Sequence, residues 1–328
     1  MNHSKTTDAR CTAWKAVVPA TSANLGCAFD CGGLALKLYL RAQFTPSDAT
    51  GITLQGITLQ YDGKTPDRIP LDDSNLVLSS FRQILHHFDS PIPSGRFHVE
   101  SDIPVGVGLG SSAAAIIAGL LLGAKYCHRE PGQEDILHLA NTMEGHIDNA
   151  AAAYHGGLVF GLSNNVQRVT TLKTHFPENI KLVVVTPSIM VPTHAARQVL
   201  PSSYERGEVL HTLQRTAFLA ATCFSGKFEL FPELFDDRLH QPYRQQLVPG
   251  MSQALKFRHE GLLAVAISGS GSSVIAMATS HEMEIARSLQ EIFAAEKVQT
   301  EALCTQADNN GASITSVPVS AAEVLQTT

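Results

Sequence analysis

The chain has 328 residues, 44% of them hydrophobic and 16% charged, with a net charge of −6 and a pI near 6.1. That composition excludes a disordered protein, and the length predicts two packed lobes. No Lys/Arg cluster provides the basic footprint of a nucleic-acid or anionic-membrane binder, and the longest apolar run, 113–124, is short of the roughly 18 residues of a membrane span. With a polar N-terminal stretch lacking the apolar segment of a signal peptide, a cytoplasmic location without nucleic-acid or membrane partners is expected. The six cysteines are scattered, as suits reduced thiols. Cys27 and Cys31 lie four apart, but no matching Cys/His pair follows to complete a zinc site.

In chain order, 13–19 and 34–44 read as strands flanking a loop with Gly and Asn. Residues 51–60 repeat Gly-Ile-Thr-Leu-Gln twice. An odd period would turn the second copy to the opposite face of one continuous strand, so a strand, a turn or bulge and a second strand are expected. Residues 75–88 have helical spacing, 96–101 read as a strand, and 111–126 form a long Ala/Leu/Gly helix without a polar face. A helix at 133–144 and a strand at 157–162 follow, and the first lobe ends in the polar stretch 163–173. The second lobe opens with a strand at 180–186, then helices at 204–225, 229–237 and 249–259. Strands at 262–267 and 273–278 enclose a Gly/Ser loop, and a helix spans 281–295. The Ala/Ser/Thr-rich end is expected to fray. Strands and helices interleave without a regular βαβ array, an α+β pattern.

The segment Pro104-Val105-Gly106-Val107-Gly108-Leu109-Gly110-Ser111-Ser112-Ala113-Ala114-Ala115 places three alternate glycines and two serines at the start of a helix. Backbone amides there can approach an anion closely, and a helix start offers unpaired N–H groups and the positive end of its dipole. Two readings stay open: a phosphate seat, or a Gly-rich turn with Ser111 as N-cap. A Walker loop is excluded. Gly63-Lys64-Thr65 has Thr58 where the first glycine should stand, and Pro66 follows, so it reads as an exposed turn.

Three segments in order carry a resemblance: Pro19-Ala20-Thr21-Ser22-Ala23-Asn24-Leu25-Gly26, the 104–115 loop, and Ser268-Gly269-Ser270-Gly271. Together they resemble the three motifs of the GHMP kinase superfamily. The extension to Phe29-Asp30, the stretch Met143-Glu144-Gly145-His146-Ile147-Asp148-Asn149, Thr193 to Arg197 followed by Leu200-Pro201, and His240-Gln241-Pro242-Tyr243-Arg244 look like the homoserine kinase family within it. The resemblance implies a two-lobed fold, with a ribosomal protein S5-like N-terminal lobe (1–168) and a ferredoxin-like C-terminal lobe (169–328). It also implies ATP and L-homoserine as substrates, Mg²⁺ as cofactor, threonine biosynthesis as setting, and a homodimer. Two departures stand out: Cys27-Ala28 replaces Pro-Gly, and Val107 stands where an Arg is common, which removes a positive charge near the nucleotide.

The resemblance also implies roles. Residues 104–114 and Asn75 would hold ATP, although Asn75 reads equally as the N-cap of the following helix. Ser112, or Ser111, and Glu144 would supply hard oxygen ligands to Mg²⁺. Arg197 and Arg244 offer forked donors for the substrate carboxylate, Thr193 joins them, and Asn24 and Asp30 receive the ammonium. By themselves the arginines also read as surface residues, Asp30 as an ordinary loop acid and Glu144 as a solvated helix acid. Asn149 and His146 would position the reacting hydroxyl without a dedicated base; His146 as a base, and Asp148 as a turn cap, stay open. The alternatives are a GHMP kinase for another small alcohol, or a catalytically silent metabolite sensor of the same fold.

Overall fold

The computed structural model describes residues 12–47, 56–163 and 169–318. The first copy of the pentapeptide repeat lies outside these residues; of the second, Gly56 is a bend and residues 57–60 lie on β3.

Along the first half run β1 (Thr12–Asn24), β2 (Ala28–Pro46), β3 (Ile57–Gly63), α1 (Leu76–His87), β4 (Gly95–Ser101), α2 (Ser111–Tyr126), α3 (Gln133–Glu144), α4 (Asp148–His155), β5 (Leu158–Ser163) and β6 (Val169–Thr174). The second half contains β7 (Lys181–Pro187), α5 (Thr193–Gln198), α6 (Arg206–Ser225), α7 (Phe231–Leu234), α8 (Gln241–Arg244), α9 (Met251–Lys256), β8 (Leu262–Ile267), β9 (Val274–Ala278), α10 (Glu282–Ala295), β10 (Thr300–Thr305) and β11 (Ser313–Pro318).

Two sheets organise these elements. One runs β11-β1-β2-β4-β3, with β5 pairing the start of β2 and β6 pairing β5. The other is antiparallel, in the order β10-β7-β9-β8. The division expected after 168 therefore lies between two strands of one sheet, β5 and β6, and β11 returns to that same sheet from the far end of the chain.

The first motif is not the open loop its composition suggested. β1 continues to Asn24, and β2 resumes at Ala28 after a three-residue turn. Asn24, Leu25 and Gly26 take φ of 71°, 39° and 71°, left-handed values that reverse the chain within that short distance. Every residue from 18 to 28 is buried, so no polar alternation marks the strand ends. Ala28 has no left-handed φ, so this position does not call for the glycine common at it, and its methyl group packs beside Gly32.

α2 is buried nearly all round. Gly119 and Gly123 make this possible: a methyl group at Gly119 would fall 2.1 Å from Ser80 Oγ, and one at Gly123 2.4 Å from Ile84 Cγ2, so α1 lies directly against the glycine stripe. One core lies between the large sheet and α1–α4 and reaches the inner face of the small sheet at Leu182, Val184, Ala266 and Ile275. The alternate residues Val183, Val185, Ile267 and Val274 face a second core with α9 and α10, the period-2 consequence of strand geometry.

Several expectations change. The 229–237 helix is a 3₁₀ turn at Phe228–Leu230 followed by the short α7, with Pro232 in its first turn. The 249–259 helix is confined to Met251–Lys256, ending where Phe257 turns extended. The region read as a polar lobe end holds β6, and β10 and β11 follow the 281–295 helix; residues 319–328 of the end expected to fray lie outside the described residues. These three strands are mostly exposed, so they lack the apolar alternation that marks a half-buried strand. Of Gly63-Lys64-Thr65, Gly63 ends β3, Lys64 is an exposed bend bridged to Glu301 at 3.3 Å, and the half-buried Thr65 accepts from Val105 N at 3.2 Å. Among the described residues no helix is long and apolar enough to cross a membrane.

Candidate active site

The three glycine-containing motifs meet. Thr21 N donates to Leu109 O (3.1 Å), Gly269 N to Ala23 O (3.1 Å) and Ser273 N to Val107 O (3.0 Å). Ser268 Oγ, fully buried, bonds Gly108 O at 2.7 Å and Ser22 Oγ at 2.9 Å. Two loop glycines are dictated by this lacing. Gly108 (φ 83°) leaves 2.0 Å between a hypothetical Cβ and Ser268 O, and Gly110 (φ 67°) leaves 1.9 Å to Thr21 Oγ1.

Gly110, not Ser111, is the N-cap of α2, and no side chain caps it. The N–H groups of the first turn therefore lack both an intrahelical acceptor and a capping side chain, and they face a cleft. Val107 is buried under the loop, its side chain in the core, so no charge is presented there. Ala113 and Ala114 are likewise buried and contribute backbone alone. Pro104 flanks the loop outside the cleft lining.

The cleft, about 210 Å³, is lined by Asn24, Asp30, Val105, Gly106, Gly108, Leu109, Gly110, Ser111, Ser112, His146, Asp148, Asn149, Thr193, Arg197, Arg244, Gly269 and Ser270. A larger cavity, about 650 Å³, opens between α6, α7, α8 and β8, but it holds no part of the glycine loop.

On the cleft's far side, Arg197 grips Asp30 through two bonds, Nη1–Oδ2 at 3.0 Å and Nη2–Oδ1 at 2.8 Å. Asp30 has φ 56° and is held by its N–H, which donates to Asn24 Oδ1 at 3.0 Å. Arg244 is 3% exposed, and its hydrogen bonds go only to neutral groups: Nε to Ala196 O (3.2 Å), Nη1 to Gly269 O (3.1 Å) and to His240 Nδ1 (3.4 Å). Among the described residues no carboxylate bridges it. Burial pushes its pKa down, partly offset by the more distant charge of Asp30. Such a cation calls for an anionic ligand.

Beside the phosphate loop, Asp148 Oδ1 accepts from His146 Nδ1 (2.8 Å) and from Asn149 N (2.7 Å). Thr21 Oγ1 donates to Asn149 Oδ1 at 2.7 Å. Burial alone would lower the His146 pKa, but its bond to Asp148 and the charges of Asp148 and Glu144 outweigh this and raise it. Ser112 Oγ donates to Glu144 Oε1. Among the described residues Glu144 Oε2 is buried with no partner, and burial raises the pKa of this carboxyl.

The chain matches the GHMP kinases N terminal domain over residues 75–157 and the GHMP kinases C terminal domain over residues 218–295. It is 34% identical to the homoserine kinase of Desulfitobacterium hafniense over 299 residues, covering 90% of this chain and 98% of that one. It belongs to the homoserine kinase family. The homoserine kinase of Solibacter usitatus is also 34% identical, over 276 residues, 84% of this chain and 88% of that protein. In fold, the crystal structure of the homoserine kinase from Cytophaga hutchinsonii superposes with a TM-score of 0.81 at 24% identity, covering 96% of this chain and all of that one. This chain therefore has the α+β fold of GHMP kinases and is an ATP-dependent small-molecule kinase.

As a homoserine kinase family member, the chain places most of the expected residues around one cleft. Pro104, Val107, Ala113, Ala114, Glu144 and Asn75 do not line it; the first five lie in or beside the phosphate loop, and Asn75 stands apart. It caps α1, its Oδ1 accepting from Val77 N at 3.0 Å and its Nδ2 donating to Pro70 O at 2.8 Å, and it does not line the cleft. Three side chains at the site had no role assigned from sequence: Thr21, Phe29 and His240. All three lie inside motifs already singled out, so proximity to the motif was the available signal. Cys27 and Cys31 have thiols pushed up to about 12 and about 11, chiefly by burial, and are protonated near neutrality.

Proposed function

We propose that this chain transfers the γ-phosphoryl group of ATP to the side-chain hydroxyl of L-homoserine, giving O-phospho-L-homoserine and ADP in threonine biosynthesis. One observation carries the choice of acceptor: Arg244, a buried guanidinium that no carboxylate bridges among the described residues, stands in the same cleft as the phosphate loop. A neutral sugar or alcohol would leave that cation uncompensated, whereas an amino acid's carboxylate pairs with it. Asp30 offers the complementary acceptor for an ammonium, and Asn24 holds Asp30 in place. In this reading residues 1–168 supply the nucleotide side, and 169–328 supply Thr193 and the carboxylate-binding arginines.

The loop amides of 104–114 and the first turn of α2 would hold the phosphates. Ser112 and Glu144 fit a Mg²⁺ ion, because the orphaned Glu144 Oε2 and the Ser112 hydroxyl are hard oxygen donors at the loop's edge. Ser112 and Glu144 would hold such an ion, whose chemistry when bound would be to compensate the charge of the phosphates. Asn149, steadied by Thr21 and Asp148, would orient the acceptor hydroxyl, and His146, fixed by Asp148, would stand beside it. Phosphoryl transfer has a loose transition state, so positioning and charge compensation supply most of the acceleration and no side chain needs to act as base. Asp148, with one oxygen accepting from both neighbours, serves as the organiser of this turn.

The test is coupled ADP release across L-homoserine, L-serine, mevalonate and galactose with Mg²⁺-ATP. The highest kcat/KM is expected on L-homoserine; equal or better use of another alcohol overturns the assignment.

A further inference from the structure

Phe29 is an aromatic ring at the cleft that core packing does not explain. It is half-buried, yet it belongs to neither hydrophobic core. Its neighbours are instead polar. The Arg244 guanidinium carbon lies 5.0 Å from the ring centroid and that of Arg197 5.9 Å. The His240 imidazole stacks on it at 4.9 Å with 21° between planes.

We propose that Phe29, backed by His240, is a positioning residue for substrate recognition: its ring fixes the Arg244 guanidinium so that the remaining donor edge points at the substrate carboxylate. The inference rests on the reading of Arg244 as the carboxylate anchor. The flat faces of a guanidinium are weakly hydrated and its donors lie in its plane. A ring against the cation therefore stabilises it without competing for any N–H. Nε and Nη1 are anchored to Ala196 O and Gly269 O, while no protein hydrogen bond forms to Nη2 among the described residues.

His240 completes the support. It is fully buried, and its Nε2 lies 2.7 Å from Gly26 O, an acceptor only, so Nε2 carries the proton. Nδ1 then presents a lone pair to Arg244 Nη1 at 3.4 Å. Burial pushes the His240 pKa down, keeping the ring uncharged beside the guanidinium. The imidazole thus links the first-motif turn, through Gly26, to the arginine that the same motif's Phe29 covers.

The experiment grades the ring's electrostatics without changing its shape. Phe29 is replaced by 4-fluoro-, 3,5-difluoro- and pentafluoro-phenylalanine, alongside Phe29→Leu and Phe29→Trp, and each variant is assayed for homoserine and ATP separately. Homoserine KM should rise stepwise with fluorination and by about 5- to 30-fold in Phe29→Leu, the range of a partly desolvated cation–π contact. ATP KM and kcat should stay within about twofold, and Phe29→Trp should lie near wild type, because indole also binds cations. A homoserine KM independent of fluorination, or a Trp variant as impaired as the Leu variant, overturns the proposal. So does a loss in kcat and both KM values together. The fluorinated series keeps the test valid if Phe29→Leu does not fold. Wild-type turnover of homoserine tests the underlying reading separately.

Discussion

Replacing Arg244 by methionine removes the buried cation and keeps much of its volume. Its cleft-facing edge would supply one charge-assisted interaction to the substrate carboxylate, worth about 1.5–3 kcal/mol, so homoserine KM should rise about 10- to 150-fold. ATP KM should not move, because the guanidinium bonds Ala196, Gly269 and His240 and none of the phosphate loop. Stability should change little. The lost hydrogen bonds go to neutral groups, Gly269 O keeps its bond from Asn24 Nδ2 at 2.8 Å, and the desolvation of an unpaired cation disappears with the side chain. Arg197→Met makes the informative contrast: it breaks an existing pair with Asp30, both partners over a third exposed, so solvent screening holds the stability loss to about 1 kcal/mol or less. The assays are initial rates with each substrate varied in turn, and thermal melting of both variants. An Arg244→Met enzyme with unchanged homoserine KM, or with ATP KM raised equally, refutes the reasoning.

Three further outcomes follow from the same geometry. Thr21→Val deletes the bond that steadies the Asn149 amide; kcat should fall with both KM values held, and melting should show a loss of about 1 kcal/mol, whereas an unchanged kcat would remove Asn149 orientation from the mechanism. Gly108→Ala forces a methyl group to within 2.0 Å of Ser268 O at φ 83°, so urea denaturation should show a loss of about 1–3 kcal/mol from backbone strain alone, and nucleotide-analogue binding should collapse; full retention of both would show that the loop adapts freely. His155 has its pKa lowered by burial and by Lys173, so it contributes stability present above the ordinary histidine pKa near 6.5 and lost as pH falls through its lower folded value. His155→Gln should flatten the acid side of the melting-temperature profile below pH ~6.5, and parallel profiles would contradict this.

What could be read without coordinates was local. The glycines and serines of 104–115, followed at once by an apolar small-residue helix, specify a helix-start anion seat because the relevant interactions span only a few residues. The long helices and the buried strands β7, β8 and β9 likewise declare themselves by period and composition. Order and identity of the motifs sufficed to suggest the family. Other features were decided by tertiary structure. β6, β10 and β11 are strands because a neighbour supplies their hydrogen-bond partners, not because their own residues alternate. The short α4, α5 and α8 are each a few turns at most, too short to be stable without the packing around them. Above all, sequence could propose Arg197 and Arg244 as a pair but could not distinguish them. Only the fold, bringing residues 167 positions apart into contact, joins Arg197 to Asp30 and leaves Arg244 buried without such a partner. Desolvation is a property of the surroundings, and a chain acquires those only when it folds.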